Sequence, residues 1–280
     1  MKINRIFFAL CLAAGVLLSA CDIVEEPVDP NRPPITTGKK VLVEDFTGHQ
    51  CGNCPRAHET AKDLEAAFGE AVVVVAIHLG NFAEVDSAKG YYNDFNTPFG
   101  EAIDAALTIN DFALPVGTVN RRPLNGEVRQ RHANWSTIVA DILGEAAALE
   151  INPTVAYDQS TRQVSVETEI QYYETGTDQH HVVVLITEDS ISSKQSDYSL
   201  VPDYIDPYYQ MHVLRKAVTP GLYGDALKDG PIFVGERLNK TFTTSLDAAW
   251  VADQCHVIIY VIDRASGEIL QVEEKRVVPQ

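Results

Sequence analysis

An apolar run at residues 41–46 leads into Cys51-Gly-Asn-Cys54-Pro55, and a segment with helical apolar spacing opens on the second cysteine. Two thiols three residues apart at a strand-to-helix junction form a pair that can close and reopen as a disulfide. If residues 41–46 are a strand and 54–68 a helix, Cys51 stands at the helix N-terminus, where unpaired N–H groups and the macrodipole favour a thiolate. A free thiol with a pKa near 8.5 is roughly 3% ionised at pH 7, whereas a shift to roughly 7 makes it half thiolate. Cys51 is therefore the candidate nucleophile. Cys54, more sheltered, is the candidate resolving thiol, attacking the Cys51 sulfur of a mixed disulfide. Pro55 falls in the first helical turn, where a missing N–H costs little, and Arg56 adds positive charge.

Other readings of the pair stay open. A structural zinc site needs four ligands, and beyond the pair the folded region offers only Cys255. A purely structural disulfide across so short a loop constrains the unfolded chain very little. A thiol peroxidase is the weakest, because no peroxidase-type run surrounds Cys51. The strand, motif and helix together resemble thioredoxins. Asp45, six residues before Cys51, can be laid over their buried acid, which implies a desolvated carboxylate that carries a proton to or from Cys54. Pro115 heads an apolar strand, as the thioredoxin cis-proline does, which implies that Leu114 offers its backbone to an incoming chain. Without that resemblance, Asp45 is a strand-end acid beside Glu44 and Pro115 a trans proline at a strand edge. The departures are Gln50 in place of tryptophan, Gly52-Asn53 in place of Gly-Pro, and a longer segment at 79–110. His49 and His78 lie near the strand ends that carry the pair, and are more simply a loop histidine and a capped strand-end histidine.

Upstream, Lys2 and Arg5 precede an apolar run at 6–18, followed by Leu18-Ser-Ala-Cys21 and acidic, proline-bearing sequence. This is the pattern of an exported lipoprotein: a signal peptide at 1–20, lipidation of Cys21, and a solvated tether at 21–39. The bilayer is then a partner through the lipid on Cys21, and the compartment permits disulfides. A formal net charge of −17 argues against nucleic acid and against membrane binding through a basic face. No cofactor and no metal are expected.

The texture changes near residue 150. Before it, strands at 41–46, 71–78 and 114–120 alternate with helices at 54–68, within 80–110, and at 132–149, which suits a thioredoxin-like α/β domain at 40–150. After it, Val164, Val166, Thr168 and Ile170 alternate with polar residues. Further strands are expected at 181–187, 240–245, 256–262 and 268–275, an all-β sandwich-like domain at 151–280. Cys255 reads as a buried free thiol. The intervening segment 188–239 is a long tyrosine-rich insertion. Its Tyr204, Tyr208, Tyr209, His212 and Arg215 are candidates for a recognition surface or for packing onto the sandwich.

The motif at 43–55, the run Pro115-Val-Gly-Thr-Val-Asn120-Arg121 and the segment at 212–215 together resemble the Omp-type lipoproteins of Bacteroidota, which join a thioredoxin-like core to a C-terminal β-domain. The resemblance implies an outer-membrane lipoprotein, surface-exposed or facing the periplasm, with no activity firmly attached to it. Acidic Asp22, Glu25 and Glu26 resemble the surface-export signal of that phylum. Two functions follow. One is a membrane-anchored thiol-disulfide oxidoreductase acting on a protein thiol or disulfide through Cys51, Cys54, Asp45 and Pro115. The other is a non-catalytic binding or adhesion lipoprotein that meets a host or surface ligand through the β-domain and its tyrosines.

Overall fold

Val41–Thr47 (β1) has no residue exposed on either side, so it can exist only as an inner strand. A computed structural model describes residues 38–279. The expected signal peptide, Cys21 and all but the last two residues of the expected tether lie outside them. Of those two, Lys39 is buried, and its Nζ donates to the Leu270 carbonyl at 2.8 Å.

The elements that follow β1 are α1 (Pro55–Phe68), β2 (Val72–His78), α2 (Pro98–Leu107), β3 (Val116–Val119), α3 (Trp135–Leu143), β4 (Leu149–Asp158), β5 (Gln163–Tyr172) and β6 (His180–Glu188). Then come β7 (Ile191–Ser196), β8 (Tyr204–Gln210), β9 (Val213–Ala217), β10 (Asp225–Ala226), β11 (Arg237–Ser245), β12 (Cys255–Asp263) and β13 (Ile269–Arg276). The main sheet runs β13-β12-β6-β9-β2-β1-β3, with β10 also paired to β6. β2 is parallel to both β1 and β9, and the other pairings on this path are antiparallel.

Alternation along the strands sorts the core. Val41 and Val43, with Val72, Val74 and Val119, meet Ala57, Ala61 and Leu64 of α1 and Trp135, Ile138 and Ile142 of α3. Leu42 and Phe46, on the other face of β1, meet Phe99 and Ile103 of α2 and continue into Val183, Leu185, Ile258 and Tyr260. Val182, Val184 and Ile186 point away from that layer, onto a three-stranded sheet ordered β11-β5-β4. β6 and β12 are thus covered on both faces, which is why they read as unbroken apolar runs rather than alternating ones. Gly117 leaves room for a ring: a Cβ there would stand 2.4 Å from Trp135 Cζ2 and 2.6 Å from the Glu44 carbonyl.

Several expectations are corrected. The change of texture near residue 150 falls inside one continuous sheet, because β9 joins β2 at Ala76 and Val213, with the Ala76 N–H donating to the His212 carbonyl at 2.9 Å. Within 80–110 only α2 is an α-helix. It starts where Thr97 Oγ1 accepts from the Gly100 N–H and Pro98 sits in the first turn; ahead of it Gly90, at φ 89°, and the turn formers Asn93, Asp94 and Asn96 hold irregular chain. The helix expected at 132–149 ends at Leu143, and Leu149 pairs with Tyr172 as the start of β4. The insertion 188–239 is not a loop. It holds β7 to β10, and β7 and β8 form a hairpin of their own.

Glu44 lies between β3 and β12. It accepts from Arg121 Nε at 2.8 Å and Nη2 at 2.7 Å and from Thr118 Oγ1 at 2.7 Å, and Arg121 also reaches the Tyr260 hydroxyl at 3.2 Å. Burial opposes the charge on Arg121, and the Glu44 carboxylate more than restores it. Arg121→Met alone strands a buried carboxylate, and is expected to lower unfolding free energy in urea by about 3–5 kcal/mol. The Glu44→Gln, Arg121→Met double variant is expected to recover most of that loss.

Candidate functional site

β1 ends at Thr47, and α1 begins at Pro55; the seven residues between them fold into two tight turns. The Cys51 N–H donates to the Gly48 carbonyl at 2.9 Å, and the Cys54 N–H to the Cys51 carbonyl at 3.2 Å. Those turns bring the two cysteines to a Cα–Cα distance of 5.4 Å, and their sulfurs form a disulfide. Cys54 is the N-cap of α1 and Pro55 stands in its first turn, so the missing proline N–H removes no helical bond. The Leu114–Pro115 peptide is cis. Its strand pairs Val116 with Phe46, one residue short of the end of β1, and Leu114 and Val116 share a core cluster with Cys51 and Cys54. The pair and Pro115 therefore occupy one corner of the sheet.

Asp45 points to the α1 side of β1 and is 1% exposed. Its Oδ1 has no hydrogen-bond partner, and burial pushes its pKa up to about 8, against a small opposing pull from His212. It lines a cavity of about 510 Å³ together with Pro55, the neighbour of Cys54. Above it His58, one turn beyond Cys54 on α1, spans from Thr47 Oγ1 (2.8 Å from Nε2) to the Tyr208 hydroxyl (2.8 Å from Nδ1). His58 Nε2 is 3.8 Å from Asp45 Oδ2. Burial, helped by the charge of His212, drops the His58 pKa to about 4. At neutral pH the acid thus keeps its proton and the imidazole is neutral, both for the same reason: neither charge can be solvated there.

The sulfurs are closed off. Cys54 is fully buried and Cys51 is 4% exposed. The cover is the β7–β8 hairpin, which binds the backbone of the cysteine loop. Gln195 Nε2 donates to the carbonyls of Gly48 (3.3 Å) and Cys51 (3.1 Å), the Ser196 N–H to His49 (2.8 Å), and the Tyr198 N–H to Gly52 (2.9 Å). Gln210 Nε2 holds Gln195 through its Oε1 at 2.9 Å. The Tyr198 ring lies flush on Gly52, where a Cβ would come within 2.3 Å of it, yet the residue itself is 62% exposed.

The other candidate residues scatter. Tyr208 and His212 reach the Asp45 cavity. His212 faces Glu65 at 3.2 Å and Asp189 at 3.6 Å; burial works against its charge, but these acids raise its pKa. Tyr204 and Tyr209 are on the outside of the hairpin, the former under the Lys194 ammonium at 3.9 Å. Arg215 faces Glu188 at 3.3 Å and lies over Trp250. His49 is tied to the Glu84 carbonyl at 2.9 Å, His78 packs 4.7 Å from the Phe95 ring, and burial lowers both pKa values, that of His78 to about 3. Arg56 is exposed, and Cys255 is free and buried, its pKa pushed up to about 12. His58 and Gln195 escaped the sequence reading, and Tyr198, one of the tyrosines of the 188–239 segment, stands there as part of a recognition surface and not as a cover of the cysteine loop. Of the first two, only His58 had a signal there, four residues after Cys54 and so on the same helical face.

Compared with known proteins, residues 104–280 match the family described as outer membrane protein Omp28. No curated protein matches the chain. Among solved structures, HBP35 of Porphyromonas gingivalis is similar over 86% of this chain and 76% of its own, at 17% identity and a TM-score of 0.62. A protein of Agrobacterium tumefaciens is similar over 87% of this chain and 96% of its own, at 15% identity and a TM-score of 0.52. At such identities the likeness is one of fold, a mixed α/β arrangement.

Two measurements probe this geometry. Gly52→Ala and Tyr198→Ala both unseat the ring from the cysteine loop, and each is expected to speed reduction of the disulfide by dithiothreitol by roughly tenfold, read by alkylation of the freed thiols. The second concerns Asp45. The unfolded chain ionises this group above about pH 4, while the folded chain keeps the proton to about pH 8, so the native state loses stability as pH rises between them. Asp45→Asn cannot ionise. Its thermal midpoint is expected to match wild type near pH 4 and to exceed it increasingly toward pH 8, by a few kcal/mol of unfolding free energy at pH 7.

Proposed function

The chain belongs to the Omp28 family of outer membrane proteins, and from that premise we propose that it is a thioredoxin-like thiol-disulfide exchange module held at the outer membrane by a lipid on Cys21. Outer-membrane localisation is the property of the family. The exchange chemistry is the reading that the cysteine corner supports best. The observation that carries it is the conjunction of a disulfide at the start of α1 with a buried, still protonated acid whose Oδ1 has no partner and which shares a cavity with Pro55, the residue after Cys54. A structural cross-link has no use for such an acid, whereas disulfide exchange has to move a proton at the sulfur that leaves.

Starting from the oxidised pair, a substrate thiolate attacks the Cys51 sulfur. The Cys51–Cys54 bond breaks, and Cys54 leaves as a thiolate that takes a proton from Asp45. The second substrate thiolate then attacks the substrate sulfur of the mixed disulfide, closing the substrate disulfide and releasing Cys51 as a thiolate favoured by the helix start. Two electrons pass from substrate to module, and the reverse sequence reduces a substrate disulfide. Pro115 and Leu114 border the same corner and are the backbone an incoming chain would pair with. The hairpin has to swing away before either direction runs.

A binding or adhesion role is the second reading, favoured by one observation. Tyr198, Leu200 and Val201 in the hairpin turn, and Tyr209 near its base, are exposed while the sulfurs are not. In the exchange reading, the protein catalyses reduction of a model protein disulfide by dithiothreitol, Cys51→Ser abolishes the turnover, and Cys54→Ser accumulates a mixed disulfide on Cys51. Full turnover by Cys51→Ser, or a pair that does not cycle, leaves the binding role.

A further inference from the structure

α1, the strands β1 and β2, β8 and the turn from β8 to β9 all contribute walls to one cavity. It is the cavity of about 510 Å³ already met at Asp45, a volume in the range that holds small organic ligands. Its walls are of two kinds. Val74, Ala76, Ala61, Ile205 and Met211 give an apolar trough, widened because Ala76 is the smallest side chain that β2 carries on this face. Four carboxyl groups converge on the same space: Asp45 at the bottom, Glu59 and Glu65 on α1, and Asp197 from the hairpin; Lys62 and His212 carry the opposing charge. The deepest of these acceptors, Asp45 Oδ1, is wholly buried and meets no donor of the protein. A buried acceptor left without a donor costs on the order of 1–3 kcal/mol, which a ligand supplying the donor returns.

We propose that this cavity binds an alkylammonium group, with its apolar stem along Val74, Ala76, Ile205 and Met211 and its ammonium donating to Asp45. The acid excess at the cavity, within a chain of net charge −17, selects a cation over an anion. The trough selects a stem of a few methylenes over a compact inorganic ion, since a metal ion would leave that apolar wall uncovered. A Lys side chain of a bound peptide and a free amine offer the same chemistry. The groups facing Asp45 are His58, Glu59, Lys62 and Glu65 from α1, His78 from β2, and Tyr208, His212 and Asp197 from the hairpin side. Of these, His58 and His78 are neutral at pH 7 and Tyr208 stays protonated. An ammonium therefore finds Asp45 as the group whose proton it displaces.

This site shares Asp45 with the exchange reading but needs no thiol chemistry, so it is tested on the oxidised protein. Titration calorimetry of the full chain at pH 8 would use n-pentylamine, the neutral n-pentanol, and the peptide acetyl-Gly-Lys-Gly-amide. Pentylamine is expected to bind at least tenfold more tightly than pentanol, to release a proton seen as a buffer-dependent heat, and to weaken at least tenfold in Asp45→Asn. Ala76→Leu, which fills the trough, is expected to remove binding as well. Peptide binding tighter than the amine assigns the site to a lysine side chain, and amine binding alone assigns it to a free amine. Equal binding of pentanol, no binding of either cation, or binding without proton release overturns the proposal. The pentanol comparison and the proton count use the wild-type protein, so they stand even if a variant fails to fold.

Discussion

β1 has no wet side, and the rest of the site follows from that. The strand is hydrogen-bonded to β2 and β3 at its edges and covered on both faces, so each polar side chain it carries must find its solvation inside the protein. It carries two acids in succession, Glu44 and Asp45, and the alternation of the strand sends them to opposite faces. Glu44 meets Arg121 and Thr118 and becomes one end of a fully bonded ion pair. Asp45 meets the edge of α1, a neutral imidazole and an apolar trough. The same burial that makes Glu44 a strut leaves Asp45 holding a proton at pH values where an ordinary carboxylate has lost it.

The second constraint is the seam between β2 and β9. Their shared ladder is short, and the strands that precede and follow the tyrosine hairpin, β6 and β9, both belong to the main sheet. Because the hairpin is strung between these neighbours, it is held over the end of β1 by covalent connection as well as by the bonds from Gln195, Ser196 and Tyr198. Its own two strands pair only with each other. It is thus an appendage on a rigid frame, and local opening of such a unit needs far less free energy than global unfolding.

The legible parts of this chain are those written in local patterns. β1, α1, β2, β5, β6, β12 and β13 lie within a few residues of where periodicity puts them, because each carries either an unbroken apolar run or apolar residues at the period of its own element. The cysteine corner was legible too, since spacing alone brings Cys51 and Cys54 together, and Asp45 sits on a strand whose burial could be read. The cover could not be read. After Ile191, β7 is wholly polar with no alternation of apolar residues, β8 contains Pro207, and the contact from Gln195 to Cys51 spans 144 residues. Such a strand is fixed by what it lands on, not by its own preferences. Likewise the one-sheet continuity across residue 150 depends on β9, five residues whose partners lie on both sides of that point.

Lys39 and Lys40 fasten the entry to β1: Lys39 Nζ bonds the Leu270 carbonyl, the Lys40 N–H bonds Gln271 Oε1, and Lys40 Nζ faces Glu273 at 2.8 Å. A pull on the chain ahead of Lys39 would therefore act at the start of β1. Its seven ladder positions with β2 would be strained together in shear rather than peeled one by one, and the cysteine loop, which begins only after the strand ends roughly 23 Å away along seven extended residues, would lie beyond the stretch that bears the load.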